Sequence, residues 1–107
     1  MSSFGSVTIS NGGTTSTALQ LPNDCAVVSI QTPATLTSTA LTVQGSQDGS
    51  TFGDIYLDGV VLTLSVTTSK VYQLSPRSTI GLKAIKLVGG SAEGGDRTIL
   101  VSTAKVA

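Results

Sequence analysis

The stretch that decides the fold reads ALTVQGSQDGSTFGDIYLDG over residues 40–59 and, after a short interval, VYQLSPRSTIGLKAIKL over residues 71–87. Its first residues mix apolar and polar side chains, as a half-buried strand does. Asp48 and the glycine after it then provide the backbone conformation that a tight turn needs. We expect Phe52 and Ile55, which follow this turn, to fold back onto a core. The stretch therefore predicts short strands joined by tight turns.

The rest of the chain repeats this pattern. Residues with turn chemistry recur about every 8–12 positions, a spacing typical of antiparallel sandwiches and barrels. Ser and Thr make up roughly three residues in ten, aromatic residues only 4%, and Glu occurs once. β-branched residues favour strands, and the usual builders of exposed helix faces are scarce. The predicted strands are residues 7–10, 15–21, 25–31, 41–46, 52–57, 60–66, 70–74, 82–88 and 97–101.

These features predict an all-β protein with a single antiparallel β-sandwich, jelly-roll or discoidin-like, of about eight strands. We divide the chain into a loose N-terminal arm, residues 1–6, and a β-sandwich domain, residues 7–107. Residues 76–80 are expected to form a single helical turn at most. The predicted core consists of Val27, Ile30, Leu41, Val43, Phe52, Ile55, Leu64, Ile85 and Leu87.

Two sequence motifs resemble known proteins. The first is a strand followed by Ser-Gln-Asp-Gly (46–49) and the aromatic Phe52, and the second is Tyr-Gln-Leu-Ser-Pro (72–76) followed by Gly-Leu-Lys-Ala-Ile-Lys (81–86). This order resembles discoidin-like β-sandwich modules and small structural proteins of tailed-phage particles. The phage resemblance implies a virion structural protein, a capsid decoration (cement) protein above all, made in the host cytoplasm. Head-fibre, tail-tube and baseplate components fit the same pattern.

Composition argues against several other functions. The chain has no His, so neither a Ser-His-Asp nor a Cys-His catalytic arrangement is possible. The acidic residues next to glycine or proline are explained by turns, and we predict neither an enzyme nor a cofactor. The formal net charge is zero, whereas binding through nucleic-acid phosphates requires a basic patch. No apolar run approaches the length of a membrane span. The lone Cys25 is expected to be a buried, reduced thiol.

A calcium site at the Asp48 turn is the alternative that the sequence leaves open. Asp48, Ser50 and Asp54 together with backbone carbonyls offer the oxygen ligands that calcium prefers. However, no Glu closes the loop at the expected spacing, and Asp48 can instead accept hydrogen bonds from its own turn. We therefore assign no metal ligand.

Loops and termini are the expected contact elements, because strand faces are committed to the core. Residues 89–96, GGSAEGGD, lack the pattern of a phosphate-binding loop and are expected to form a flexible, exposed hairpin loop. The partners implied are a major capsid protein or other virion proteins, together with further copies of this chain, as a trimer or another ring. The candidate contact residues are Phe4, Arg77, Glu93, Asp96 and Arg97.

A carbohydrate- or cell-surface-binding module of discoidin type is the alternative function. The expected fold suits it equally well. Sugar rings are commonly bound by stacking on aromatic side chains, and this chain has no Trp, two Tyr and two Phe. The alternative therefore has the fold in its favour and the composition against it.

Overall fold

The computed structural model describes residues 2–105, with side chains from Gly5 onward; Met1 and residues 106–107 lie outside the described part. It contains eleven strands and one short 3-10 turn, Pro76–Ser78. The strands are β1 (Ser2–Ile9), β2 (Leu19–Gln20), β3 (Cys25–Gln31), β4 (Ala40–Ser46), β5 (Gly53–Asp54), β6 (Tyr56–Leu57), β7 (Val60–Val61), β8 (Thr63–Ser65), β9 (Val71–Gln73), β10 (Ala84–Gly89) and β11 (Arg97–Lys105).

Two antiparallel sheets form a sandwich, which confirms the predicted fold class. Sheet A has the order β1-β11-β3-β9, and sheet B has the order β2-β10-β4-β5, with β8 also paired to β4. The four longest connections carry the chain from one sheet to the other, so neighbours in sequence face each other across the core. Strand alternation then places one face of each strand inside.

The core consists of aliphatic side chains from both sheets. Six of the nine predicted core residues are buried, and Ile55 and Leu64 are partly buried against the same cluster. Further buried members come from β1 and β11, the first and last strands along the chain. The buried cluster is Val7, Ile9, Val27, Ile30, Leu41, Val43, Val66, Leu74, Ile85, Leu87, Ile99 and Val101.

Two predicted strands are each divided in two. Val43 lies at the middle of β4, where its amide donates to the carbonyl of Leu62 over 3.0 Å and its carbonyl accepts from the amide of Ile55 over 3.3 Å. Leu62 also donates to the Ile55 carbonyl over 2.8 Å. The segment after Ile55 and the segment before Leu62 therefore pair with each other and not with β4. These segments, β6 and β7, leave sheet B as a small hairpin closed by Asp58 and Gly59.

Residues 2–6, which the sequence predicted to be a loose arm, belong to strand β1. β1 begins at Ser2, and its register runs without interruption from the Ser2–Ala104 pair to the Ile9–Arg97 pair of β11. Residues 2–6 are thus an edge of sheet A. Their small, polar composition lacks strand alternation, which is why the sequence indicated an arm.

Phe52 is not a core residue, contrary to the sequence-based prediction. It is half-buried, and its ring lies beneath the ammonium group of Lys86, 4.4 Å from the ring centroid. Lys86 pairs with Gln44, whose amide donates to Asp54 over 2.9 Å, and these polar side chains belong to the outer face of sheet B. The Asp48 turn directs the aromatic ring onto this outer face, where it makes a cation–π contact.

Candidate assembly surfaces

Four of the five candidate contact residues lie at opposite ends of the sandwich. We call the loops 10–14, 32–39 and 90–96 the Glu93 end, and the turns 21–24, 47–52 and 74–83 the Arg77 end. Strand register separates the two ends, because β11 starts beside Ile9 and finishes beside Cys25. The structure brings Glu93, Asp96 and Arg97 together but leaves Arg77 far from them.

Glu93 joins the three loops of its end. One carboxylate oxygen accepts from the amide of Thr37 over 2.7 Å and from Nε of Arg97 over 3.0 Å, and the other accepts from the amide of Ser38 over 2.9 Å. Its own backbone bonds to Gly12 over 2.7 Å and to Gly13 over 3.0 Å. A single side chain and its peptide groups therefore fix all three loops.

The environment keeps Glu93 ionised. Its side chain is fully buried, and burial by itself disfavours the charged form and raises the pKa. The hydrogen bonds from the Thr37 and Ser38 amides and from Arg97 outweigh burial and lower the pKa of Glu93 from 4.5 to about 2. Glu93 is therefore a buried, charged anchor at neutral pH.

This position corrects the expectation that Glu93 is an exposed contact residue. Its carboxylate has no surface to offer a partner, and it holds the glycine-rich loop in place. Asp96 is exposed and accepts from the amide of Asn11 over 2.9 Å, while Arg97 is partly buried by its ion pair. The sequence feature that indicated a special role for Glu93 is that it is the chain's single Glu and lies among glycines. The sequence could not show which loops its carboxylate joins.

Arg77 forms the second candidate surface, with the hairpin of β6 and β7. Its Nη2 lies 3.3 Å from Oδ1 of Asp58, and both side chains are largely exposed, at 68% and 72%. An exposed ion pair of this kind contributes little to stability. Arg77 follows Pro76 in the 3-10 turn, as the sequence predicted, and it is accessible to a partner.

Exposed apolar side chains occur in the hairpin that contains Asp58 and just after the 3-10 turn that contains Arg77. Tyr56 and Val60, in the two strands of the hairpin, are 65% and 68% exposed, and Ile80, just after the 3-10 turn, is 52% exposed. We call these three residues with Asp58 and Arg77 the Arg77 corner. Tyr56 pairs with Val61 and Leu57 pairs with Val60, so Tyr56 and Val60 lie on opposite faces of the hairpin. Aromatic and Arg side chains are enriched in protein interfaces. The corner therefore has the composition of a contact surface.

Phe4, the remaining candidate, lies in β1 opposite Ser102. Its side chain is outside the described part of the structure, so its contact role stays a prediction.

The Asp48 turn has the geometry of a self-contained turn. Oδ1 of Asp48 accepts from the amides of Ser50 and Thr51, each over 2.8 Å, and from the hydroxyl of Ser46 over 2.9 Å. The Thr51 and Ser50 amides, then the Ser46 hydroxyl, lower the pKa of Asp48. Asp54, the second carboxylate of the calcium alternative, instead accepts from Gln44. One carboxylate oxygen of each residue, Oδ1, is thus engaged by protein donors.

Two further observations describe what the surfaces contain. Among residues 2–105, no group of three or more His, Cys, Asp and Glu side chains is placed to hold a metal ion. Within the same range, the structure has no helix of the length and hydrophobicity needed to cross a membrane.

Comparisons with known proteins give a likeness of fold. No protein-family model matches the sequence, and no curated protein matches it. Among solved structures, the SPBc2 prophage-derived protein YomS superimposes with a TM-score of 0.62 and 9% identity over 97% of this chain and 96% of that one. A structure of Bacillus endospore appendages, described as disulfide-linked pili, has a TM-score of 0.45, 10% identity and coverage of 99% and 88%. The capsid asymmetric unit of cyanophage Pam1 has a TM-score of 0.38, 18% identity and coverage of 99% and 84%. The chain therefore shares its fold with YomS from end to end.

Proposed function

We propose that this protein is a structural component of a phage particle and, more specifically, a decoration (cement) protein on the capsid. The observation that carries the proposal is the end-to-end fold match to the prophage-derived YomS. The composition and the sequence motifs agree with it. In this role the chain is made in the host cytoplasm and bound on the virion by a major capsid protein or another virion protein.

The rigidity of the Glu93 end supports a structural role. Glycine-rich loops are ordinarily mobile, and a mobile loop loses conformational entropy on binding. Here the buried carboxylate of Glu93 and the hydroxyl of Ser38, which donates to the Ser91 carbonyl over 2.9 Å, order the loop beforehand. A surface that is already ordered binds a repeating lattice at lower entropic cost.

The Arg77 corner supplies the chemistry of attachment in this proposal. It offers the exposed guanidinium of Arg77 and, on the two faces of the neighbouring hairpin, the exposed side chains of Tyr56 and Val60. Each contact of this kind is weak when it is alone. On a particle with many identical sites, an oligomer that engages several sites at once binds far more tightly than one copy does.

Co-sedimentation tests the proposal. Phage particles are purified from cells that carry the gene, and the copies of this protein already bound to them are removed. The isolated chain is then mixed with these particles, and the bound fraction is measured after centrifugation. We expect saturable binding, reduced at least about tenfold when Arg77 and Tyr56 are both replaced by Ala, because interface hot spots of these types commonly contribute 2 kcal/mol or more, roughly.

Thr63→Ala is the matched control. Thr63 is exposed, its hydroxyl lies 3.0 Å from that of Thr42 in the neighbouring strand β4, and it does not belong to the Arg77 corner. This variant is expected to bind particles as the original chain does. A chain that does not bind particles but binds glycans on an array would contradict the virion role and support the carbohydrate-binding alternative.

A further inference from the structure

The edge of sheet A formed by β1 is unusually open. β1 is eight residues long, and its sequence, SSFGSVTI, contains neither a charged residue nor a proline. Natural sheets protect their edges with charges, prolines, bulges or very short strands. The other edge strands follow that rule, because β2, β5, β8 and β9 have only two or three residues each.

The backbone of β1 shows which groups face outward. At Thr8, the amide donates to Oγ1 of Thr17 over 3.1 Å, and the carbonyl accepts from the Thr17 amide over 2.9 Å. Alternate residues of a strand direct their backbone groups to the same side. Because the register with β11 is unbroken, Ser2, Phe4 and Ser6 also direct their N–H and C=O groups away from β11. Thr8 is paired on this side with Thr17, whereas the structure shows no outward backbone hydrogen bond at Ser6 within the residues whose side chains it describes.

We propose that this edge binds the same edge of a second copy of the chain, antiparallel about a twofold axis. With the axis between the two copies of Phe4, Ser2 of each copy lies opposite Ser6 of the other. The three facing pairs exchange about six backbone hydrogen bonds. The two four-stranded A sheets then become one continuous sheet.

Self-complementarity favours a second copy over an unrelated strand. Residues 2–6 read Ser-Ser-Phe-Gly-Ser, so the twofold pairing places small residues opposite small residues and Phe4 opposite itself. Neither this segment nor residues 98–104 of the adjoining β11 carry a charge. Like charges would repel a second copy, and a charged edge would select an oppositely charged partner. This edge carries neither kind of charge. A twofold pairing uses the β1 edge of both copies, so the assembly ends at a dimer.

The inference deepens the proposed particle role and rests on it, because copies of the chain meet at high local concentration on a particle. The resulting unit is a pair, in contrast to the trimer that the sequence also allows. A paired unit presents two Arg77 corners and can therefore engage two lattice sites together.

Ser6→Pro tests the pairing by sedimentation velocity over a wide range of protein concentration. Proline at position 6 removes an outward donor and leaves the hydrogen bonds between β1 and β11 intact. We expect the original chain to form dimers and Ser6→Pro to weaken dimerisation at least about tenfold, because the twofold axis removes two hydrogen bonds at once.

Gln73→Pro is the matched control, because it makes the same change at the opposite edge of sheet A. Leu74 donates to Val28 over 2.8 Å, so the alternate residue Gln73 directs its amide outward. This variant is expected to dimerise normally. A dimer weakened equally by both substitutions would overturn the proposal.

Amide hydrogen exchange of the unmodified chain keeps the test independent of the variants' folding. We expect the Ser6 amide to exchange more slowly as protein concentration rises, while the Gln73 amide stays fast. A chain that remains monomeric, or a dimer with a fast Ser6 amide, would overturn the edge pairing. Co-sedimentation separates the two proposals, because a chain that binds particles without pairing contradicts only this inference, and one that pairs without binding particles contradicts only the particle role.

Discussion

Replacing Glu93 by Gln is expected to destabilise the sandwich although the two side chains have nearly the same shape. The carboxylate accepts from the amides of Thr37 and Ser38 and from Arg97. A Gln side chain has only one oxygen, so its NH₂ group must face one of these donors. A buried donor without an acceptor costs about 1–3 kcal/mol, and Arg97 also loses its charged partner. We therefore expect the free energy of unfolding to fall by about 2–4 kcal/mol at neutral pH.

The effect should depend on pH with a defined sign. The pKa of Glu93 in the folded chain is about 2, below its ordinary value of 4.5. A lowered pKa means that ionised Glu93 stabilises the fold above pH 4.5 and that this contribution is lost as the pH falls toward 2. The difference in stability between the original chain and Glu93→Gln should therefore shrink over this window. Asp48 also loses stabilising charge in acid, but it does so equally in both chains.

Urea denaturation followed by circular dichroism, repeated at several pH values, measures this difference. Asp58→Asn is the matched control, because it makes the same chemical change at an exposed ion pair and should alter stability by less than about 0.5 kcal/mol. A loss below about 0.5 kcal/mol for Glu93→Gln, or a difference that does not change with pH, would show that Glu93 is not a charged anchor.

Three further substitutions test other parts of the structure. Gly89→Ala should cost about 1–3 kcal/mol, because a Cβ there would overlap Ser38, whereas Gly53→Ala, which meets nothing within 4 Å, should cost much less; an equal loss in the two would contradict the close contact. Phe52→Ala should lower the free energy of unfolding by about 1–2 kcal/mol in the same urea measurement, compared with roughly 3–5 kcal/mol for a buried Phe. A loss of about 3 kcal/mol or more would show that Phe52 belongs to the core. Asp48→Ala should lower the melting temperature more than Asp48→Asn, because Asn keeps an oxygen that accepts from the turn; addition of EDTA should leave the melting temperature unchanged, and a large drop would support the calcium site instead.

The fold was predictable because local chemistry and tertiary structure agree along most of the chain. Residues 25–31 and 82–88 are rich in aliphatic and β-branched side chains, and both regions became central strands. Strand alternation likewise identified six of the twelve residues of the buried cluster. The single helical turn after Ser75 followed from the fixed φ of Pro76.

The errors occurred where tertiary contacts override local pattern. Nothing in residues 2–6 distinguishes an arm from an edge strand, because the pairing partner is a hundred residues away, at the end of β11. Phe52 looked like a core residue because large apolar side chains usually are, but the geometry of the Asp48 turn decides which face it covers. Glu93 was misplaced for a similar reason, since only the folded chain shows that three loops converge on it. The five contact candidates were chosen one by one, and the sequence could not show that Arg77 lies at the opposite end from Glu93, Asp96 and Arg97.

Quantitative mass spectrometry of purified particles tests the central proposal most directly. Particles released from cells that carry the gene are separated on a density gradient, and the amount of this chain is compared with that of the major capsid protein in each fraction. A decoration protein on a repeating lattice should migrate with the particles at a constant, high ratio to the capsid protein. A chain that is absent from the particle fractions, or present at a ratio that varies between preparations, would contradict a structural role in the virion.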